Sequence, residues 1–370
     1  GVRKARRLKR AGLSHLAREA APVPPMKTPL KSSLHPLAAL AGALLLTLSA
    51  SAAAPAAAGP LAGRWALTLP NGAAGWLEVA DRGGWLDGAI LWGGGSVLPA
   101  AHVHVHDGVL TLTRVRDVER KDAAGKVVRR QQLTETVTAR LEGDLLRGVR
   151  VVPRAGGAGV DRGEFTGRRI PSLPARPDLA KVKFGDPVAL FNGRDLAGWR
   201  VKEDNLPNAW SVEQGVLVNR PPAHPPGKPG PRTANLRTDR EFEDFNLKLE
   251  VNVPKGSNSG VYLRGIYEIQ VQDSHGKPLD SHHMGAVYSR ITPAVAAEKP
   301  AGEWQTLDIT LVDRHATVVL NDRVIIDNQP LLGCTGGAMW SDEFRPGPLY
   351  LQGDHGPVSY RNIVLRPVTK

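Results

Sequence analysis

An alternation of apolar and polar side chains over Ser259–Asp273, SGVYLRGIYEIQVQD, most constrains what this chain can fold into. Alternation at period two places successive side chains on opposite faces of an extended strand, whereas an amphipathic helix repeats near every 3.6 residues. The polar face of this predicted strand carries Glu268, Gln270 and Gln272. Long stretches with helical periodicity are absent from the sequence, so it predicts an all-β protein.

The overall charge of the chain gives little information about its partners. The 370 residues carry a net charge of +12, but residues 1–35 alone hold nine Lys or Arg and one Glu. The rest of the sequence has no basic stripe interleaved with aromatic residues, which nucleic-acid recognition would need. We therefore expect no nucleic-acid partner. A hydrophobic content of 41% with 40 Gly and 30 Pro instead favours a globular protein rich in turns.

The N-terminal region has the pattern of a targeting segment. Residues 26–58 begin at Met26, continue with two lysines, and contain the apolar run Leu37–Leu48, followed by small residues suited to cleavage at Ala50–Ala52. This order predicts a secretory signal peptide, and the apolar run is too short to span a membrane. Residues 1–25 precede Met26 and are predicted to be absent from the mature protein.

Cysteine usage completes the prediction of localisation. No cysteine lies at the end of the predicted signal peptide, so we expect no lipid or other membrane anchor. Cys334 is the single cysteine of the chain, so an oxidising compartment would add no internal disulfide. The sequence therefore predicts a periplasmic or secreted protein, and leaves its oligomeric state open.

Beyond the leader, composition divides the chain into two parts. Residues 60–170 contain short strand-like runs punctuated by Gly, which predict a small antiparallel β domain, either a meander or a small barrel. Residues 171–185 begin with a proline-rich segment and are predicted to be a linker. Residues 186–369 hold about nine further strand candidates, and a tight hairpin turn is expected at Asn321–Asp322. Such a number of antiparallel strands predicts two packed sheets, a jelly-roll sandwich.

Residues 186–369 resemble the bacterial 3-keto-disaccharide hydrolase domain family, formerly a domain of unknown function. The matching pieces, in family order, are Leu190–Trp199, Trp210–Leu217, Leu236–Val251, Ser257–Asp273, Gly285–Tyr288, Glu303–Leu311 and Leu351–Ile363. The resemblance covers about half of the chain. It implies a concanavalin-like jelly roll and an activity on 3-keto-glycosides or 3-keto-disaccharides.

The chemistry implied by this resemblance requires particular groups. Oxidation of a glycoside at C3 acidifies the hydrogen on C2, so a base can remove it while the substituent on C1 leaves. Addition of water to the resulting intermediate completes a net hydrolysis. Such a site needs a base, a group that stabilises the enolate oxygen, and an acid for the leaving oxygen. The substrate is a carbohydrate, and a separate sugar 3-dehydrogenase would have to supply it, because no redox cofactor motif is visible.

We expect three catalytic residues and six residues that bind the substrate. Glu268 is the first candidate for the base, His355 for proton transfer, and Arg264 for polarising the ketone or pairing with Glu268. The substrate-binding candidates are Tyr262, Gln270, Trp340, Gln352, Asp354 and Arg361. No cofactor is certain, but a divalent metal is an open alternative, with Asp273, His282 and His355 as candidate ligands.

Two other functions remain open from the sequence. A non-catalytic carbohydrate-binding module would use the same polar face without releasing product. A conventional glucanase-like glycosidase would need two carboxylates about 5–5.5 Å apart for double displacement. Gln270 occupies the alternate position beside Glu268, which counts against the glycosidase.

Overall fold

The computed structural model describes residues 58–223 and 230–369. The predicted upstream segment and almost all of the predicted signal peptide lie outside these residues. Within the described part, no helix is long and apolar enough to cross a membrane. Residues 58–369 belong to one compact unit, which holds two β structures, so the expected all-β class is confirmed. The division into two domains stays a prediction.

The first β structure is a single antiparallel sheet of nine strands. In chain order these are β1 Gly63–Thr68, β2 Ala74–Asp81, β3 Leu86–Trp92, β4 Leu98–Pro99, β5 His102–His106, β6 Val109–Lys121, β7 Val127–Glu142, β8 Leu145–Pro153 and β9 Val160–Arg169; short 3-10 turns cover Gly59–Leu61 and Pro70–Gly72. The strand order is β4-β3-β2-β1-β9-β8-β7-β6-β5.

The two end strands of this sheet, β4 and β5, are consecutive in the chain. Between them, the backbone of Ala100 donates to Gly88 of β3 and that of Ala101 donates to Thr113 of β6. These bonds bring the two ends of the sheet together around a core that includes Trp65, Leu112 and Phe165. The strand-like runs of residues 60–170 therefore form a curled, barrel-like meander.

The second β structure has two sheets that share one core. Its strands are β10 Val188–Ala189, β11 Trp199–Val201, β12 Trp210–Glu213, β13 Val216–Asn219, β14 Leu236–Thr238, β15 Phe245–Asn252, β16 Asn258–Leu263, β17 Tyr267–Gln272, β18 Trp304–Val312, β19 His315–Leu320, β20 Arg323–Pro330, β21 Tyr350–Leu351 and β22 Val358–Pro367. One sheet has the order β12-β13-β22-β15-β18-β19-β20, with β10 beside β22, and the other has the order β11-β14-β21-β16-β17.

Side chains from both sheets meet in the core of this sandwich. Leu247 and Val251 of β15 pack in the same cluster as Val261 of β16 and Ile269 of β17. The residues between them along β15 are less buried, which is the pattern of a strand with one face on a core. The jelly-roll class is therefore confirmed. The tight turn predicted at Asn321–Asp322 is also present, and it joins β19 to β20 with positive φ at both residues.

The alternation of Ser259–Asp273 predicts one continuous strand, and this prediction is wrong. The run folds into the antiparallel hairpin of β16 and β17, in which Tyr262 lies opposite Glu268. The turn consists of the three residues between Leu263 and Tyr267, and its first two, Arg264 and Gly265, have left-handed φ values of 54° and 71°. A Gly in the middle of an alternating run therefore marks the reversal of the chain.

Candidate functional site

A cavity of about 380 Å³ opens on the face of the five-stranded sheet that lies away from the sandwich core. Six of the nine predicted catalytic and substrate-binding residues line it: Tyr262, Glu268, Gln270, Gln352, Asp354 and His355. Its volume falls in the range of small-molecule sites, ~300–1,000 Å³. The sheet thus collects side chains from β16, β17 and the end of β21 into one polar site.

Glu268 is buried on the polar face of β17, with only 3% of its surface exposed. Burial raises the pKa of its carboxyl group to about 8; the hydrogen bond from Tyr262 opposes this shift and the charge of Asp354 adds to it. A carboxyl group in such a setting holds its proton near neutrality and can give or take one there. The alternation predicts one apolar and one polar face for this strand, but both faces of β17 are buried from Tyr267 to Val271.

Gly260 makes room for this carboxyl group. A Cβ atom at position 260 would overlap Oε1 of Glu268 on the neighbouring strand. The absence of a side chain on β16 at this point therefore lets the carboxyl group lie flat against the sheet.

The hydroxyl group of Tyr262 has two neighbours that can accept its single proton. Its Oη lies 2.9 Å from Oε2 of Glu268 and 2.7 Å from the carbonyl oxygen of Gly336. Of these two acceptors, the carboxyl group of Glu268 can itself carry a proton, and the carbonyl oxygen of Gly336 cannot. When Glu268 is neutral it can donate to Tyr262, which then donates to Gly336; when Glu268 is ionised, Tyr262 can donate to it.

A second tyrosine packs on the first. The rings of Tyr262 and Tyr350 are stacked, with centroids 3.9 Å apart and an angle of 13° between their planes. Burial raises the pKa of both phenols well above the usual value, so both stay protonated at neutral pH. The pair therefore supplies hydroxyl donors next to Glu268.

Asp354 and His355 form another proton-bearing pair in the lining. Nδ1 of His355 lies 2.7 Å from Oδ1 of Asp354, and Arg232 reaches Oδ2 of Asp354 at 3.5 Å. Burial acts to raise the pKa of Asp354, but the bond and charge of His355 with the charge of Arg232 hold it below its usual value. The ionised Asp354 orients the imidazole, whose Nε2 stays available for a substrate.

The cavity also contains polar residues that the sequence did not single out. Lys202 follows β11 and brings its ammonium group 2.6 Å from Oε1 of Glu203 and 5.4 Å from the ring centre of Tyr350. Glu203 accepts hydrogen bonds from the backbone and side chain of Asn235. These residues belong to loops without periodicity, and only the position of Lys202 directly after a strand could have indicated it.

Two acceptor oxygens in the lining lack a hydrogen-bond donor among the described residues. They are Oδ1 of Asn258 and Oε1 of Gln352, both buried. A buried acceptor without a partner costs free energy. Gln270 differs, because its amide donates to the carbonyl oxygen of His282 and accepts from the backbone of Val271.

Three predicted residues lie outside this lining. The guanidinium group of Arg264 is buried under the hairpin and donates to the carbonyl oxygens of Glu343 and Arg345, both at 2.7 Å. Arg264 therefore holds a loop in place, and we withdraw it as a catalytic candidate. The reason is the reversal of the chain at this residue, which directs its side chain away from Glu268.

Arg361 and Trp340 are also placed elsewhere. Arg361 lies on the other sheet, where it bonds Glu250 at 2.6 Å and stacks on Trp304. Trp340 lies under Arg345 and lines a separate cavity against the first sheet. Neither residue is retained in the site.

The candidate metal ligands are not brought together. Asp273 accepts from the backbone of Gly256, while His282 lies between Asp280 and Ser96, and His355 pairs with Asp354. Among residues 58–223 and 230–369, no three His, Cys, Asp or Glu side chains are grouped so that they could hold a metal ion.

The comparisons with known proteins place the second β structure in a family. Residues 186–366 match the model of the 3-keto-alpha-glucoside-1,2-lyase-like domain, and this part of the chain belongs to that family. A curated relative from Bacteroides thetaiotaomicron is named 3-keto-disaccharide hydrolase and is 26% identical over 38% of this chain. The chain spans just over half, 57%, of the length of that relative.

Solved structures also resemble this chain over about half its length. One from Parabacteroides distasonis, provisionally assigned as a glycosyl hydrolase, is 26% identical, with 54% of this chain and 94% of that chain covered and a TM-score of 0.40. A carbohydrate-binding module from Bacillus subtilis is 13% identical, with 45% and 93% covered and a TM-score of 0.30. A β-glucanase from Bacillus licheniformis is 11% identical, with 51% and 98% covered and a TM-score of 0.32.

Proposed function

We propose that this protein cleaves glycosides that carry a ketone at C3, by elimination across C1 and C2 followed by hydration. The observation that carries the proposal is the buried carboxyl group of Glu268, whose pKa is raised to about 8 and which lies against a tyrosine pair in a sugar-sized cavity. The family of residues 186–366 and the name of the curated relative support the same substrate class.

In the proposed first step, the carboxylate of Glu268 takes the proton from C2, whose acidity the neighbouring ketone provides. The electron pair of the C2–H bond forms an enolate on the C3 oxygen. Lys202 supplies positive charge and N–H donors for that oxygen, because the hydroxyl protons of Tyr262 and Tyr350 go to the carbonyl oxygens of Gly336 and Gly337 once Glu268 is neutral. Lys202 thereby takes the role that the sequence suggested for Arg264.

In the next steps the C1–O bond breaks and water replaces the leaving group. Collapse of the enolate forms the C1–C2 double bond, and His355 protonates the departing oxygen. Water then adds to C1 with His355 as the base, and Glu268 returns a proton to C2. The protons balance over the cycle, and the net reaction is hydrolysis of the glycoside.

The ketone must be made elsewhere. We propose that an enzyme which oxidises sugars at C3 supplies the substrate. Export to the periplasm or the exterior stays a prediction, because it depends on residues outside the described part.

The test compares 3-keto-disaccharides with their unoxidised parents in deuterated water. We expect product only from the keto substrates, with deuterium at C2, and a rate that rises with pH until Glu268 is ionised near pH 8. The variant Glu268→Gln should lose about 10²-fold or more in kcat.

Each opposite result has a clear meaning. Product without deuterium at C2, together with equal rates for substrates that carry hydrogen or deuterium at C2, would overturn the elimination route, and turnover of the unoxidised sugars would favour a conventional glycosidase. Binding of sugar without any product would favour a carbohydrate-binding module.

A further inference from the structure

A loop of the first sheet forms part of the candidate sugar site. Gly94 and Gly95, between β3 and β4, line the same cavity as Glu268 and Gln270. No role could be assigned to the first β structure from its sequence, and the family match begins only at residue 186. The wall loop, as we call residues 93–97, is thus a contribution from outside the matched domain.

Hydrogen bonds hold the wall loop at one side of the cavity. Oγ of Ser96 lies 2.8 Å from Nε2 of His282, and the backbone of Val97 donates to Oγ of Ser289 at 2.9 Å. The segment between those two partners continues the sheet beyond β17, since Tyr288 donates to the carbonyl oxygen of Glu268. The wall loop therefore lies beyond the last strand of the sheet, next to the catalytic candidate.

The wall loop also contacts the backbone that holds Tyr262. The amide of Gly337 donates to the carbonyl oxygen of Gly93 at 3.3 Å, and a Cβ atom on Gly336 would overlap the backbone of Gly95. Two glycine backbones in direct contact leave no space between the wall loop and the carbonyl group that bonds Tyr262. The cavity is closed on this side.

The side of the cavity opposite the wall loop is formed by Asp354 and His355, and it is open. Asp354 and His355 line the main cavity and also a second cavity bordered by Lys255 and Pro357. Among residues 58–223 and 230–369, space therefore continues past His355, whereas it ends at the wall loop.

We infer that the wall loop makes the site accept only a terminal 3-keto sugar, with its leaving group directed toward His355. This inference rests on the proposed function. The reacting ring lies beside Glu268, where no further sugar fits beyond Gly94. The substrate class is then a disaccharide or a longer chain oxidised on its end residue, and a chain oxidised on an internal residue is excluded.

Gly94 offers a direct way to change this wall. Its φ is not in the left-handed region, and no atom lies within 4 Å of the position of a Cβ atom. The variants Gly94→Ala and Gly94→Phe therefore add bulk at the cavity without backbone strain. Gly156, in the turn between β8 and β9, has the same two properties and does not line the cavity. Gly156→Phe is the matched control.

The experiment measures binding and turnover separately. Binding of 3-ketotrehalose is measured by calorimetry in a Glu268→Gln background, and turnover is measured with the otherwise unaltered protein. Gly94→Phe should weaken binding about ten- to a hundredfold, Gly94→Ala less, and Gly156→Phe not at all, because forced overlap grows with side-chain size. A trisaccharide with its ketone on the middle ring should neither bind nor react.

The outcomes separate this inference from the proposed function. The inference about the wall loop is overturned if the Gly94→Phe and Gly156→Phe proteins bind equally well. It is also overturned if the trisaccharide is cleaved at its oxidised middle ring. Binding of 3-ketotrehalose without turnover overturns the proposed reaction. The affinities of the Gly94 variants then still test whether the wall loop limits the site. Absence of binding to 3-ketotrehalose and to trehalose overturns both.

Discussion

At the scale of single residues, the burial of Glu268 links function to stability. A carboxyl group that is 3% exposed stays neutral until about pH 8, and ionising it inside the sheet is unfavourable. The same unfavourable ionisation makes its carboxylate a strong base toward a C–H bond. The protein thus holds a destabilising group where the proposed chemistry needs one.

Glu268 should make the stability of the protein depend on pH. Its pKa is 4.5 in the reference state and about 8 when folded, so the folded state binds the extra proton between these values. The stabilisation is fully present below pH 4.5, is lost as the pH rises, and is gone above about pH 8. Urea unfolding at pH 5 and pH 9 should show a loss larger in the wild type than in Glu268→Gln by about 4 kcal/mol. Parallel losses in the two proteins would contradict the raised pKa.

Lys202 should affect the rate more than the affinity. Its ammonium group lines the cavity and is proposed to meet charge that develops only in the enolate. We expect Lys202→Met to lower kcat for a 3-keto-disaccharide about 10²-fold with a small change in KM, because removal of such a group costs ~2.7–4 kcal/mol. Lys202→Arg, which keeps the charge, should recover part of kcat. A raised KM with an unchanged kcat would instead assign Lys202 to substrate binding.

The sequence predicted more about which residues share the site than about their surroundings. Glu268, Gln270 and Tyr262 could be grouped from one alternating run because period two fixes the face of each side chain. The burial of Glu268 could not be predicted, since it depends on the wall loop and on Gly336, which are distant in the chain. Lys202 was missed because it lies in a loop, where no periodic pattern indicates which way a side chain points.

At the scale of secondary-structure elements, the hairpin of β16 and β17 decides which side chains reach the cavity. Periodicity alone cannot distinguish one strand from two strands that reverse at a glycine, because the alternation continues through the turn. The turn changes the role of Arg264, which a continuous strand would have left on the same face as Glu268. Tyr262 reaches Glu268 by pairing across the hairpin.

Arg264 should act on stability and not on catalysis. Its guanidinium group is buried and donates to two carbonyl oxygens of the loop after Glu343. We expect Arg264→Met to lower the free energy of unfolding by ~1–3 kcal/mol, because those carbonyl groups lose their donors. The kcat of the folded fraction should stay close to that of the wild type. A large loss of kcat with unchanged urea unfolding would return Arg264 to the catalytic candidates.

At the scale of the whole molecule, the two β structures share a packed seam. Trp76 and Leu91 of the first sheet belong to the same buried cluster as the core of the sandwich. The guanidinium group of Arg290 lies 4.3 Å from the ring centre of Trp76 and donates to the carbonyl oxygen of Cys334. A proline-rich linker predicts separate domains, and only the tertiary packing shows that these sheets meet.

This seam should make the two β structures unfold together. We expect one transition in denaturant, with tryptophan fluorescence and far-UV circular dichroism giving the same midpoint. Gly336→Ala should separate the structures, because its Cβ atom would overlap the backbone of Gly95, which cannot give way as a flexible side chain could. The variant should show a lower midpoint or two transitions, whereas Gly94→Ala, which enters open space, should unfold like the wild type. Two separate transitions in the wild type would mean that the sheets are independent, and that the wall loop is not fixed against the site.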